Sequence, residues 1–106
     1  MHVRIWEFVV RPDALRAFVA LYGPGGAWVE HFSLHDGYLG TELLADPSDA
    51  ARFVTIDRWD RAASYDRVDT DAGAWRALDD AGEALTDRET FLGAFDVVEA
   101  IAPPLG

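Results

Sequence analysis

Two histidines near the middle of the first half of the chain are the leading candidates for residues that could do chemistry. His31 and His35 lie four residues apart, so on a helix both side chains would project from one face. Histidine titrates near neutral pH without any perturbation, which makes His31 the first candidate for a general base. A His-x-x-x-His pair can bind zinc, but the zinc proteases carry a glutamate directly after the first histidine, and here Glu30 precedes it. The spacing leaves open a base, a ligand contact or a histidine at the surface or a dimer interface, and it does not favour a metal site.

Four tryptophans in so short a chain form the second group. Aromatic side chains with a few polar groups line the cavities that hold planar ligands. Trp59 ends a predicted strand and is either the wall of a pocket or a plug in the core, because tryptophan is highly buried in most proteins. The core is the expected place of Trp6, Trp28 and Trp75, with a pocket as the alternative.

Two carboxylates lie on predicted strands. Asp57 and Glu7 are expected to face solvent or to form an ion pair, for which Arg58 and Arg4 are the neighbouring partners. If either carboxylate faced a pocket instead, loss of hydration would raise its pKa and make it a candidate base.

Composition narrows the chemistry further. The chain has 106 residues, no cysteine and a formal net charge of −10, and all nine basic residues are arginine. Thiolate catalysis, Cys-ligated metals, Schiff-base chemistry and a phosphate-loop lysine are therefore excluded. The negative charge disfavours nucleic-acid partners, and no apolar run is long enough to span a membrane. The length predicts a single domain over 1–106, and without a recognisable signal peptide a cytoplasmic location is expected.

Sequence patterns place these residues on a small set of elements. Runs of β-branched and aromatic residues predict strands over 2–11, 38–45, 52–59 and 88–99. Apolar spacing predicts a helix from Pro12 to a break at 23–26, a short helix over 27–34, and a longer helix after Asp60 that is interrupted around 66–73. The core then covers about 2–99, and the tail 100–106 is expected to lack regular structure.

The first strand is apolar on both faces. One face carries His2, Arg4, Trp6, Phe8 and Val10, and the other carries Val3, Ile5, Glu7 and Val9. The element order β-α-β-β-α-β is ferredoxin-like and predicts an α+β fold, in which a four-stranded antiparallel sheet has its helices on one face. The face of the sheet opposite the helices, called the open face, also carries apolar residues. A homodimer through the open face would bury them.

This layout resembles the antibiotic biosynthesis monooxygenase family, which has the dimeric α+β barrel fold. The stretches 37–43 (Gly-Tyr-Leu-Gly-Thr-Glu-Leu) and 59–65 (Trp-Asp-Arg-Ala-Ala-Ser-Tyr) carry the resemblance, which extends over about 2–99. It implies a cofactor-independent monooxygenase of a small aromatic or polyketide-like substrate, with Trp59 at the position of a pocket tryptophan. Haem-degrading members use an asparagine in the first strand and a histidine on the second helix, whereas this chain has Glu7 and no histidine between Asp60 and Thr86.

The resemblance also suggests roles for individual residues. His31 is the candidate base, and Tyr65 or Arg58 is the candidate donor to a developing oxyanion. The substrate would lie against Trp59, Trp28, Trp75 and Tyr38, without a metal or another cofactor. The alternative is a non-catalytic or stress-related homodimer that binds a small ligand. A cavity on which His31 and a tyrosine converge would favour the enzyme, and a wholly apolar cavity would favour binding alone.

Overall fold

The strands and helices follow the predicted order. The computed structural model describes residues 1–98. The strands are β1 (His2–Val10), β2 (Tyr38–Asp46), β3 (Asp49–Trp59) and β4 (Thr86–Asp96). The helices are α1 (Leu15–Tyr22), α2 (Ala27–Phe32), α3 (Ala62–Asp66) and α4 (Gly73–Glu83), and a 3-10 turn over Pro12–Ala14 leads into α1. The strands pair antiparallel in the order β2-β3-β1-β4, which confirms the ferredoxin-like α+β fold.

Some boundaries differ from the prediction. The hairpin between β2 and β3 is tighter than expected because Asp46 pairs with Asp49, and the carboxylate of Asp46 accepts a 2.8 Å hydrogen bond from the Ser48 N–H inside the turn. The helix after Asp60 is divided into α3 and α4, as the acidic stretch and Gly73 predict. The last strand begins at Thr86 and ends at Asp96. The prediction for the tail 100–106, and for residue 99 at the end of the last strand, lies outside the described residues.

Alternation along the two central strands decides which side chains meet the helices. β1 pairs with β3 so that Phe8 lies opposite Phe53, Trp6 opposite Thr55 and Arg4 opposite Asp57. These even-numbered β1 residues and odd-numbered β3 residues form the helix-facing side of the sheet. Aromatic rings fill the space above it. The Phe18 ring of α1 lies 5.2 Å from Phe8 and 5.1 Å from Phe53, measured between ring centroids.

The open face carries the alternate residues of the same strands. Its apolar members are Val3, Ile5, Val9, Leu44, Val54, Ile56 and Phe95. Phe95 is 52% exposed and Leu44 is 42% exposed, which is unusual for large apolar side chains on a sheet. Charged residues on this face pair with one another, and the Arg52 Nη2 lies 2.7 Å from the Glu7 carboxylate. Glu7 therefore faces away from the helices and does not pair with Arg4.

One turn of α1 gives a direct test of this packing. Phe18 is fully buried, whereas Val19 beside it is 44% exposed. We expect Phe18→Ala to lower the free energy of unfolding by about 3–5 kcal/mol, because it leaves a cavity among aromatic rings. The matched change Val19→Ala should cost less than about 1 kcal/mol. Urea unfolding followed by tryptophan fluorescence measures both, and equal effects would contradict the assigned core.

Candidate functional site

A cavity lies between the helix-facing side of the sheet and the helices. Its volume is about 70 Å³. The sheet contributes Arg4, Trp6, Phe8, Thr41, Thr55, Asp57 and Glu89, and the helices contribute Tyr22, Trp28, Val29, Phe32, Tyr65, Trp75 and Asp79. Most of the lining is aromatic, and the charged groups gather at two places. This mixture of flat apolar walls with a few polar groups suits a small planar ligand.

Asp57 is the most unusual of the lining residues. Alternation along β3 puts it on the same side as Trp59, and it is only 9% exposed. Burial raises the pKa of its carboxyl group from 3.8 to about 6, while a hydrogen bond from Thr41 and the charge of Arg4 act in the opposite direction. The Thr41 hydroxyl donates to Oδ1 at 2.7 Å. Such a carboxyl group is charged at neutral pH and is basic enough to accept a proton.

Arg4 lies across from Asp57 on the neighbouring strand. Its guanidinium carbon sits 3.8 Å from the centre of the Tyr65 ring and 4.7 Å from that of Phe91, which is the geometry of a cation–π contact. Within residues 1–98 no carboxylate forms an ion pair with Arg4. The guanidinium thus presents hydrogen-bond donors and a positive charge beside the Asp57 carboxyl group.

The second set of charged residues, Asp79 and Glu89, lies where the cavity meets solvent. Asp79 is exposed on α4, and Glu89 is half-buried on β4 and accepts a 3.4 Å hydrogen bond from the Tyr22 hydroxyl. Burial and the nearby Asp79 both raise the pKa of Glu89. An acidic surface groove shares Trp6, Asp79 and Glu89 with the cavity. The mouth is therefore negatively charged, while the deeper end holds Arg4.

Three of the predicted site residues line the cavity. Tyr65, Trp28 and Trp75 form part of its wall, and the rings of Trp28 and Trp75 meet edge to face with centroids 5.0 Å apart. Burial raises the pKa of the Tyr65 hydroxyl, and the charge of Arg4 opposes that rise. Tyr65 and Arg4 are thus the polar groups that join Asp57 at the deep end.

Trp59 and Tyr38 lie behind the wall. Trp59 is fully buried, and its ring packs between Phe32, Tyr38 and Tyr65 with centroids 5.2–5.7 Å apart. Neither residue is among the described residues that line the cavity. Of the two interpretations that the sequence leaves open, the structure gives Trp59 the position of a core plug that supports Phe32 and Tyr65.

His31 and Arg58 are not brought to the cavity by the fold. The His31 ring lies 6.2 Å from that of Trp75, and burial, followed by the charge of His35, lowers its pKa. Arg58 follows Asp57 directly on β3, so it points to the open face, where it pairs with Glu42. That placement also excludes the Asp57–Arg58 ion pair considered from the sequence, because consecutive strand residues face opposite sides.

Arg4 was considered from the sequence only as an ion-pair partner, and Thr41 was not identified. A signal for the deep end was present, because Asp57 and Trp59 are two residues apart on one strand, as are Arg4 and Trp6 on another. Because residues two apart on a strand point to the same face, a pocket beside these tryptophans would also be lined by Asp57 and Arg4. Thr41 could not be found in this way, because its direction depends on an irregularity in β2.

Known proteins resemble this chain in fold but not closely in sequence. No protein-family model and no curated protein matches the sequence. Solved structures do match. SnoaB, a cofactor-independent oxygenase from Streptomyces nogalater, has a TM-score of 0.74 at 16% identity, with 96% of this chain and 97% of that chain covered.

Two further structures share the fold. A protein described as an antibiotic biosynthesis monooxygenase has a TM-score of 0.71 at 23% identity, covering 93% of this chain and 100% of its own. A conserved protein from Methanosarcina mazei has a TM-score of 0.71 at 11% identity, covering 90% and 91% respectively. At these identities the likeness establishes that the chain has the fold of these proteins.

Neither a metal centre nor a membrane-spanning helix is found in the part of the chain that the structure describes. Within residues 1–98 no three His, Asp or Glu side chains are grouped so as to hold a metal ion. In the same range no helix has both the length and the apolar character needed to cross a membrane.

The raised pKa of Asp57 has a consequence for stability. The native state holds this proton more tightly than the unfolded chain does, so stability falls as the pH rises from about 4 to about 6 and stays lower above that range. A rise from 3.8 to about 6 corresponds to roughly 3 kcal/mol. We therefore expect Asp57→Asn to stabilise the protein by up to about 3 kcal/mol near pH 7.5, and by much less near pH 4.5.

Urea unfolding at the two pH values measures this difference. Asp80→Asn, which changes an exposed carboxylate on α4, is the matched control and should leave stability within about 0.5 kcal/mol at both pH values. A gain that is the same at both pH values, or a loss near pH 7.5, would contradict the raised pKa.

Proposed function

We propose that this protein is a cofactor-independent monooxygenase related to the antibiotic biosynthesis monooxygenases, acting on a small aromatic or polyketide-like substrate. The observation that carries the proposal is the buried Asp57 carboxylate beside Arg4 at the end of an aromatic cavity. The fold shared with SnoaB is consistent with it. Asp57 takes the role of base for which His31 was the sequence candidate, and Arg4 takes the role considered for Arg58.

The reaction needs few groups from the protein. Asp57 removes a proton from the substrate, and the Arg4 guanidinium stabilises the anion that results. An electron-rich anion of this kind can pass one electron to oxygen, after which the two radicals combine to a peroxide. Loss of water from the peroxide leaves a new carbonyl, so a CH₂ group and O₂ give a C=O group and H₂O. One oxygen atom stays in the product and the other leaves as water.

The charges along the cavity suit this sequence of events. The acidic mouth at Asp79 and Glu89 disfavours an anionic ligand, so the substrate enters in its neutral form. Among the described residues that line the cavity, only Arg4 carries a positive charge, and it lies next to the base. Ionisation is thereby confined to the deep end, where the aromatic walls limit access of water.

Cavity size restricts the substrate. The cavity volume of about 70 Å³ is roughly half of the 150 Å³ known to hold benzene in an engineered cavity. A single ring would have to extend into the mouth, and a polycyclic substrate would require Trp28, Trp75 or Tyr65 to move. The small volume is also compatible with a second function, which is binding of a small ligand without chemistry. The charged deep end favours the enzyme over this alternative.

We also propose a homodimer through the open face. Phe95 and Leu44 expose apolar area there, around apolar side chains of β1 and β3, and a second copy of the sheet offers the same pattern in return. The ion pairs Arg52–Glu7 and Arg58–Glu42 leave few unbalanced charges on this face.

Oxygen uptake tests the proposed activity. The protein, freed of metal with a chelator, should accelerate oxygen consumption by anthrone, whose CH₂ group would become a carbonyl, above the spontaneous rate. Asp57→Asn should lower the protein-dependent rate by about 100-fold or more, because it removes the base while keeping the shape. Arg4→Gln should lower the rate by about 10- to 1,000-fold through loss of anion stabilisation.

Arg58→Gln is the matched comparison for Arg4→Gln. It makes the same change on the open face, away from the cavity, and should retain the wild-type rate. Loss of rate in Arg58→Gln with a normal rate in Arg4→Gln would reverse the assignment. No acceleration of anthrone oxidation by the wild type would shift the interpretation to ligand binding.

Sedimentation tests the dimer. We expect the wild type to sediment as a dimer, and Phe95→Asp to weaken the dimer by about 10-fold or more, because it places an unpaired charge in an apolar part of the interface. Leu34→Asp is the control, since Leu34 is 81% exposed and follows α2 on the helix side. A monomeric wild type, or a dimer unaffected by Phe95→Asp, would contradict the open-face interface.

A further inference from the structure

An irregularity in β2 changes the direction of two side chains near the cavity. β2 pairs with β3 so that Tyr38 lies opposite Trp59 and Thr41 opposite Asp57, with a shift of register between Tyr38 and Gly40. In a regular strand, residues three apart face opposite sides. The extra residue of the bulge puts both Tyr38 and Thr41 on the helix-facing side. Gly40 has a φ of 128°, a conformation that glycine adopts much more readily than other residues.

The two side chains form a chain of hydrogen bonds that ends on Asp57. The Tyr38 hydroxyl lies 2.6 Å from the Thr41 Oγ1, and the Thr41 Oγ1 lies 2.7 Å from the Asp57 Oδ1. A carboxylate can only accept, so Thr41 gives its one hydroxyl proton to Asp57, and Tyr38 therefore donates to Thr41. Each donation strengthens the next.

The tyrosine at the start of this chain is held in place by its neighbours. Its ring centroid lies 5.5 Å from that of Phe32 and 5.2 Å from that of Trp59. Both neighbouring rings are buried. The direction of the Tyr38 hydroxyl, and with it the direction of the Thr41 hydroxyl, is therefore set by the core rather than by solvent.

We propose that Tyr38 and Thr41 are positioning residues, which the bulge at Gly40 turns toward the cavity so that they hold the Asp57 carboxylate in its charged form with Oδ2 left for a substrate. The catalytic part of this inference depends on the function proposed above, and the positioning part does not. Within residues 1–98 the hydrogen bond to this carboxylate is accepted by Oδ1, so Oδ2 is the oxygen that can take a proton from a ligand.

Three other groups act on the carboxyl group from the elements packed around it. Arg4 faces it from β1, Tyr65 faces it from α3, and Tyr38 acts from β2 through Thr41. Arg4 and the Thr41 hydrogen bond both lower the pKa of Asp57, against the effect of burial. Removing the Thr41 hydroxyl takes away one of the two groups that favour the charged form, so the pKa of Asp57 should rise.

Carboxyl ¹³C NMR of the free, full-length protein tests this directly. Asp57→Asn identifies the signal by its loss. We expect Thr41→Val to raise the titration midpoint of Asp57 by about one to two pH units, because a hydrogen bond to a charged group is lost. Tyr38→Phe should raise it by a smaller amount, because Thr41 still donates but is no longer polarised by a second hydroxyl.

Thr55→Val provides the matched control for the titration. It makes the same hydroxyl-to-methyl change on the helix-facing side of β3, and Thr55 also lines the cavity, but it makes no hydrogen bond to Asp57 within residues 1–98. Its effect on the midpoint should be less than half that of Thr41→Val. Equal shifts in the two threonine variants, or no shift in Thr41→Val, would overturn the proposal. If Thr41→Val fails to fold, an unchanged midpoint in Tyr38→Phe overturns it in the same way.

The pH dependence of oxygen uptake separates this inference from the proposed function. If the wild type is active, the acidic limb of kcat/KM should move upward in Thr41→Val by the same amount as the NMR midpoint. An active enzyme whose limb does not move would refute the positioning role and leave the function intact. An inactive wild type with the expected NMR shift would refute the function and leave the positioning of Asp57 intact.

Discussion

The antiparallel pairing of β1 with β3 is the constraint on which the rest of the structure depends. Once Phe8 lies opposite Phe53, the two-residue period of both strands decides every other side chain at the centre of the sheet. The aromatic core, Arg4 and Asp57 all fall on the helix-facing side, while Arg58 and Glu7 fall on the open face. A slip of one residue would exchange the two sets, which would bury Arg58 and Arg52 and expose Phe53. Because burial of the aromatic rings excludes that exchange, the packing of the core also fixes the chemistry of the cavity.

Much of this arrangement can be predicted from the sequence, because it follows from periodicity. The strong alternation of β1 gives its two faces correctly, and the order of elements gives the sheet topology. The interruption between α3 and α4 follows from the acidic stretch and Gly73. The same alternation, applied to β3, would also have separated Asp57 from Arg58. The different surroundings of these two residues can therefore be predicted from the sequence once the bounds of β3 are known.

The remaining features depend on tertiary detail that has no period. Trp59 has the composition of a pocket wall, yet Phe32 and Tyr65 come between it and the cavity, and only the positions of α2 and α3 decide that. His31 has the right chemistry for a base, but its place on α2 directs it toward Trp75 and His35. The bulge at Gly40 is a third case. A glycine in a strand suggests an irregularity, but not which neighbours it turns inward.

Asp57 is the residue that packing alone does not explain. A buried carboxyl group whose pKa is raised to about 6 reduces stability at neutral pH by roughly 3 kcal/mol. An amide of the same shape could accept the hydrogen bond of Thr41 without that penalty. The position is also surrounded by features that favour its charged form, namely a bulge that turns Thr41 inward and the charge of Arg4, which forms no ion pair within residues 1–98. Burial opposes the charge on Asp57, whereas Thr41 and Arg4 stabilise it. Such opposing effects on one carboxyl group are typical of a site that uses the proton, because local departures from the most stable packing concentrate where function requires them.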